Sequence, residues 1–191
     1  MGLQTDSGLQ EESGQSIALL PGSRQQEIRS LMPVMLQTAV HFPNERFVIA
    51  GISRLKTLYP SVLPANVSIV FDKTYEVLHR ARAAVVCSGT ATLETALLNI
   101  PQVVIYKTSW LNYQIGKRLA KVNFISLPNL IADGKIVEEL IQHDCTSEAI
   151  QKSLQGLLLA DREQFYRILH AKVGGPGASE KAAKLIYCLA G

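Results

Sequence analysis

Two strand-to-helix turns hold the residues whose types and spacing could do chemistry. Ser16-Ile17-Ala18-Leu19-Leu20 is an apolar run that breaks into Pro21-Gly22-Ser23-Arg24. Further on, Ala83-Ala84-Val85-Val86-Cys87 breaks into Ser88-Gly89-Thr90-Ala91-Thr92-Leu93-Glu94. Each reads as a buried strand, a turn of small residues and the first turn of a helix. Helix N-termini present unpaired N–H groups and the positive end of the dipole, so such turns suit phosphate. Two of them in one sheet point to a nucleotide diphosphate at the C-terminal edge of the strands.

The individual residues admit more than one role. Gly22 allows close approach of backbone to a ligand, and Ser23 is a good N-cap. Arg24 adds a permanent cation whose planar fork fits phosphate. The same four residues also fit a tight turn with a surface arginine. Ser88, Gly89, Thr90 and Ala91 open the second helix with two hydroxyls and a permissive glycine. Glu94 follows one turn in, where a carboxylate could accept both hydroxyls of a ribose or stabilise the helix N-terminus. Tyr106-Lys107 closes a strand and reads either as a ligand contact or as an aromatic strand end. Asn129, between Pro128 and Leu130, also fits a simple turn. His41, His79, His143 and His170 lack an obvious acidic partner and read as surface or packing residues. No Asp-x-Asp pair follows a strand, so no metal and no other cofactor is expected. Arg24 and the helix dipoles would then neutralise a leaving diphosphate.

These turns need a scaffold, and the periodicity supplies one. Strand-like runs occur at 16–20, 46–50, 67–71, 83–87 and 102–106, with helical patterns at about 24–41, 53–59, 74–80 and 90–99. Alternation at this pace predicts βαβ units, hence an α/β fold with a Rossmann-like parallel sheet and helices on both faces. Beyond 106 the pattern predicts helices at about 110–122, 135–142, 146–159, 161–172 and 178–190. Residues 123–130 read as a short strand and loop. Residues 1–15 are polar and read as a flexible head or truncation junction, leaving 16–191 as the folded unit.

Composition narrows the function classes. The 191 residues are 47% hydrophobic and 18% charged, an ordinary globular balance for one core. A net charge of +3 fits an anionic small ligand or an anionic membrane surface and is too weak to imply nucleic acid. The three cysteines show no metal or disulfide spacing, which favours a reduced, cytoplasmic setting. No apolar run is long enough to cross a membrane. Trp110, Leu111, Tyr113, Ile115 and Leu119, interleaved with Lys107, Lys117, Arg118 and Lys121, fit either a membrane-interface helix or a core-facing helix with a basic edge.

Taken in order and spacing, Leu20-Pro21-Gly22-Ser23-Arg24 with Glu27, Ser88 to Glu94, and Ser126-Leu127-Pro128-Asn129-Leu130 resemble the bacterial lipid-A-disaccharide synthases over roughly residues 16–190. The resemblance implies the C-terminal, donor-binding half of a two-domain GT-B glycosyltransferase. That family transfers 2,3-diacylglucosamine from its UDP derivative to 2,3-diacylglucosamine 1-phosphate (lipid X), releasing UDP, in lipid A biosynthesis. It works peripherally at the cytoplasmic face of the inner membrane. Carried over, Gly22, Ser23 and Arg24 would hold the UDP diphosphate. Ser88, Gly89, Thr90 and Ala91 would line the nucleotide pocket with Glu94 on the ribose, and Tyr106 and Asn129 would sit near the donor. The family's acceptor site and acid/base residues belong to an N-terminal half that these residues do not match, so the chain alone is expected to be inactive. Peripheral contact with the inner membrane and a homodimer are compatible with the resemblance. Two other readings remain open. One is a different UDP-sugar enzyme of the same fold, such as a UDP-N-acetylglucosamine 2-epimerase or the lipid II-forming transferase. The other is a non-catalytic nucleotide-binding module.

Overall fold

A computed structural model of the chain describes residues 16–107, 123–159 and 166–173. Six parallel strands form one sheet in the order β3-β2-β1-β4-β5-β6. They are β1 (Ser16–Leu20), β2 (Arg46–Gly51), β3 (Val67–Phe71), β4 (Ala81–Cys87), β5 (Gln102–Tyr106) and β6 (Glu138–Ile141). The helices are α1 (Gln25–Val40), α2 (Thr74–His79), α3 (Thr90–Leu97), α4 (Leu127–Ala132), α5 (Ser147–Leu159) and α6 (Arg167–Val173). A 3-10 segment, Ser53–Leu58, occupies the second expected helical stretch.

Side-chain size differs between the two faces of the sheet. Successive residues of a strand point to opposite sides. On one face Ile17, Leu19, Phe47, Ile49 and Val85 pack on α1 and on Ile150 and Leu154 of α5. The α1 stripe is Ile28, Leu31, Met32, Met35 and Ala39, the spacing of one helical face. On the other face Ala18, Leu20, Ala84 and Val86 meet Val77 and Leu78 of α2. Alanine at the sheet centre lets these short helices lie close. Val104, Ala96 of α3, Tyr166 and Leu169 of α6 complete that layer. The alternation of β1 thus serves two cores at once, as expected of a parallel sheet covered on both sides.

Three sequence-based expectations differ from the structure. The stretch 135–142, expected as helix, contains β6, paired with β5 from Val103↔Glu138 to Tyr106↔Ile141. Only Leu140 of this edge strand is deeply buried. The expected loop at 127–130 is the start of α4, opened by Ser126 with Pro128 in its first turn and closed by Asp133 in the left-handed region. The 53–59 helix is a 3-10 segment with a kink at Leu55. The expected helices at 110–122 and 178–190, the basic aromatic stretch among them, and the head at 1–15 lie outside the described residues. Among the described residues, no helix is long and apolar enough to cross a membrane.

Candidate functional site

The centre of the sheet is where the strand order reverses. From β1 the chain runs into α1 on the large-residue face and on to β2. From β4 it runs into α3 on the opposite face and on to β5. The two turns therefore leave neighbouring strand ends in opposite directions and open a crevice, the usual ligand position in such sheets. A cleft of about 860 Å³ lies there. Its walls include Gly22, Ser23, Arg24 and Glu27 from the first turn, and Ser88, Gly89, Thr90, Ala91 and Glu94 from the second. Ala50, Gly51, Ile52 and the segment Asp72 to Glu76 form the third wall, and Cys87 lines it as well.

The structure brings eight of the ten sequence-predicted residues to this cleft and leaves Tyr106 and Asn129 outside its lining. Tyr106 stands half-buried at the end of β5, one strand away. Asn129 is fully buried, and its amide is used within the chain. Its nitrogen donates to the Val137 carbonyl at 3.0 Å and to Glu139 at 2.8 Å. Its oxygen accepts the N–H groups of Ile136 and Val137. The Ser-Leu-Pro-Asn-Leu segment is thus a brace. Glu139 of β6 accepts the Ile125 and Ser126 N–H groups and the Ser126 hydroxyl. Ile125 in turn accepts the Ser88 hydroxyl at 3.1 Å. That hydroxyl is committed to the fold rather than offered to a ligand.

Gly89 and Glu94 are the open features of the second turn. A Cβ built on Gly89 would meet nothing within 4 Å, and no left-handed backbone requires glycine there. The missing side chain leaves room over the cleft. Gly89 is the N-cap of α3, so Glu94 lies beyond the first helical turn, where no acidic residue stands. Capping does not explain it. Four carboxylates line the cleft, and three are engaged. Glu27 takes the Ser23 and Arg24 N–H groups and pairs with the Arg24 guanidinium. Glu76 lies 3.6 Å from Lys73. Asp72 accepts the Ser53 hydroxyl and, at 3.1 Å, its N–H, contacts that hold its carboxyl below the usual range. Glu94 has no hydrogen-bond or ion-pair partner among the described residues.

Motif reading missed the third wall. Its signal was the polar break Asp72-Lys73 after β3, where a further strand ends at the same edge. Gly51 belongs to it: a Cβ there would come within 2.7 Å of the Phe71 ring, so only glycine lets β2 and β3 close under the cleft. A second cation, Arg54, also reaches the first turn, donating to the Ser23 carbonyl at 3.4 Å. The Cys87 thiol is no nucleophile. Burial, helped by the Glu27 charge and opposed by Arg24, pushes it up to about 12. Among the described residues no cluster of His, Cys, Asp and Glu could hold a metal ion.

Comparison with known proteins identifies the lineage. Residues 5–174 match the family model described as Lipid-A-disaccharide synthetase (LpxB). The chain belongs to the lipid-A-disaccharide synthase family. It is 41% identical over 178 residues to the synthase of Psychromonas ingrahamii, covering 86% of this chain and 44% of that protein. It is 38% identical over 202 residues to the synthase of Syntrophus aciditrophicus, covering 95% and 51%. The chain spans about half the length of the curated lipid-A-disaccharide synthases it matches. Membership in this family separates it from the epimerase and lipid II-forming alternatives. The fold is that of GT-B glycosyltransferases. The calicheamicin glycosyltransferase CalG4 aligns with TM-score 0.61 and 19% identity over 92% of this chain and 42% of its own. SnogD from Streptomyces nogalater aligns with TM-score 0.56 and 26% identity over 100% and 48%.

Proposed function

We propose that this chain is the donor-binding part of a lipid-A-disaccharide synthase, holding the UDP of UDP-2,3-diacylglucosamine in the cleft between α1 and α3. With a second domain it transfers the diacylglucosamine to lipid X and releases UDP, at the cytoplasmic face of the inner membrane. The observation that carries the reading is the Glu94 carboxylate, without a partner among the described residues, beside the open space at Gly89. A ribose presents two adjacent hydroxyl donors, and a carboxylate with two free oxygens accepts both. The diphosphate lies toward the N-termini of α1 and α3, where dipoles and Arg24 balance its charge. Ile52 and the exposed Tyr75 ring offer apolar surface to a flat base on the far wall. The net charge of +3 favours peripheral contact with an anionic membrane.

The test is a calorimetric titration of the chain with UDP, UDP-N-acetylglucosamine and ADP, repeated in EDTA. UDP and its sugar should bind, ADP more weakly, and EDTA should change little. No heat with UDP, or a preference for ADP, would overturn the reading. A strict need for Mg²⁺ would overturn charge balance by Arg24 and the helix dipoles.

A further inference from the structure

Two backbone donors just before α1 are already occupied. Glu27 Oε2 accepts the Ser23 N–H at 2.9 Å and the Arg24 N–H at 3.1 Å. Its Oε1 accepts from Arg24 Nη1 at 3.0 Å. These are the groups that would face the phosphates of a nucleotide in this cleft. The Glu27 side chain is only 13% exposed, against 82% for Arg24, so the carboxylate sits inside the turn and the guanidinium outside it. Gly22 makes this possible. Its backbone is left-handed at φ +104°, and a Cβ there would run into the Glu27 carboxylate and come 2.8 Å from its Cβ. The glycine of the first turn therefore makes room for Glu27.

Two anions cannot share these donors. A phosphate oxygen needs the same amides, and a second negative charge a few ångström away repels it. We propose that Glu27 is an internal anion that occupies the diphosphate position in the empty cleft and is displaced by the nucleotide. The carboxylate then sets diphosphate affinity and favours release of the diphosphate after transfer. Displacement needs only side-chain rotation, because the partners of the Glu27 carboxylate among the described residues are Ser23 and Arg24, both exposed and within one turn. The freed guanidinium follows the phosphate. This inference rests on the nucleotide reading above. It also excludes the alternative in which Glu27 stays in place to shape the turn for the ligand.

Glu27→Gln separates the two roles. The amide keeps a carbonyl oxygen for the turn and drops the charge. Calorimetric titrations of the chain and of Glu27→Gln with UDP and with uridine should show UDP binding the variant about tenfold more tightly. Uridine should bind both within about twofold, showing the rest of the cleft intact. Equal or weaker UDP binding by the variant overturns the proposal, as does loss of both ligands or of a cooperative thermal transition, since either means that Glu27 holds the turn together. If neither chain binds UDP, the nucleotide reading falls and this proposal with it. If the parent binds and the variant does not improve, only the proposal falls.

Discussion

Gly89 and Glu94 make separable predictions about the same nucleotide. At Gly89 neither backbone conformation nor a protein neighbour calls for glycine. Gly89→Ala should leave the melting temperature within a degree or two and weaken UDP by about tenfold, because a methyl group intrudes where the ligand lies. Calorimetry and a thermal melt on one preparation check both halves. A fall in stability without a loss of affinity would mean that the space belongs to the fold. Glu94→Gln removes one strong acceptor. It should weaken UDP by roughly tenfold, a charge-assisted hydrogen bond being worth about 1.5–3 kcal/mol. It should barely change binding of 2′,3′-dideoxy-UDP, which lacks the hydroxyls. Equal losses with both ligands would take Glu94 off the ribose.

At the scale of elements, the brace from β6 to the second turn carries its own expectation. Glu139 receives two backbone N–H groups, the Ser126 hydroxyl and the Asn129 amide. Glu139→Ala leaves the Ile125 and Ser126 donors without this acceptor and should cost about 3 kcal/mol in urea unfolding, with Glu139→Gln losing less. Unchanged midpoints in both variants would show that α4 is held by packing alone. The brace also marks where sequence reading fell short. Strands such as Ile17–Leu19 and Val103–Ile105 are continuous apolar runs, legible because both faces of a parallel sheet are buried. Glu138-Glu139-Leu140-Ile141 is an edge strand with one deeply buried side chain, and two glutamates give it a helical look. Its strand character comes from pairing with β5, a tertiary fact. The family resemblance puts Asn129 near the donor, and spacing alone fits it to a turn. What it satisfies is the backbone of Ile136 and Val137, partners that spacing alone does not reveal. Gly22, Ser23, Arg24 and Ser88 to Glu94 were legible because a small-residue turn after a buried strand has one place to go in this architecture.

Two expectations belong to the whole molecule. Burial pushes Cys87 from 9.0 to about 12. Burial also pushes Tyr166 from 10.0 to about 12, against lowering hydrogen bonds from Gln102. Below about pH 9 the Cys87 thiol is protonated in both folded and unfolded chains, and its contribution is constant. Between about 9 and 12 the unfolded chain ionises first, so stability falls by about 1.4 kcal/mol per pH unit from this group. Urea unfolding at about pH 8 and about pH 10 should show that fall, and Cys87→Ala should lessen it by about 1 kcal/mol. A variant with the parent's full alkaline loss would place the titrating group elsewhere. The second expectation is catalytic. On the proposed reading, a chain spanning 44% to 51% of the relatives above holds the donor and leaves the acceptor to a second domain. Supplied with UDP-2,3-diacylglucosamine and lipid X, it should form no disaccharide, since orienting two substrates contributes about 7–11 kcal/mol and needs both domains. Turnover by this chain alone would place an acceptor site within it.

The seam between β1 and β4 has a consequence for how the molecule comes into being. Ile17 pairs with Ala83 and Leu20 with Val86, so the central strand waits for a partner far along the chain. β1, β2 and β3 join through nearer neighbours, and β4, β5 and β6 do likewise. Local pairings close at lower entropic cost, which favours assembly of the two halves of the sheet before they meet. On a ribosome the first half stands with the far edge of β1 bare until Cys87 has emerged. The crevice lies on that seam, so it does not exist in either half. A nucleotide that binds there recognises a completed sheet and, by mass action, draws the last step of folding forward.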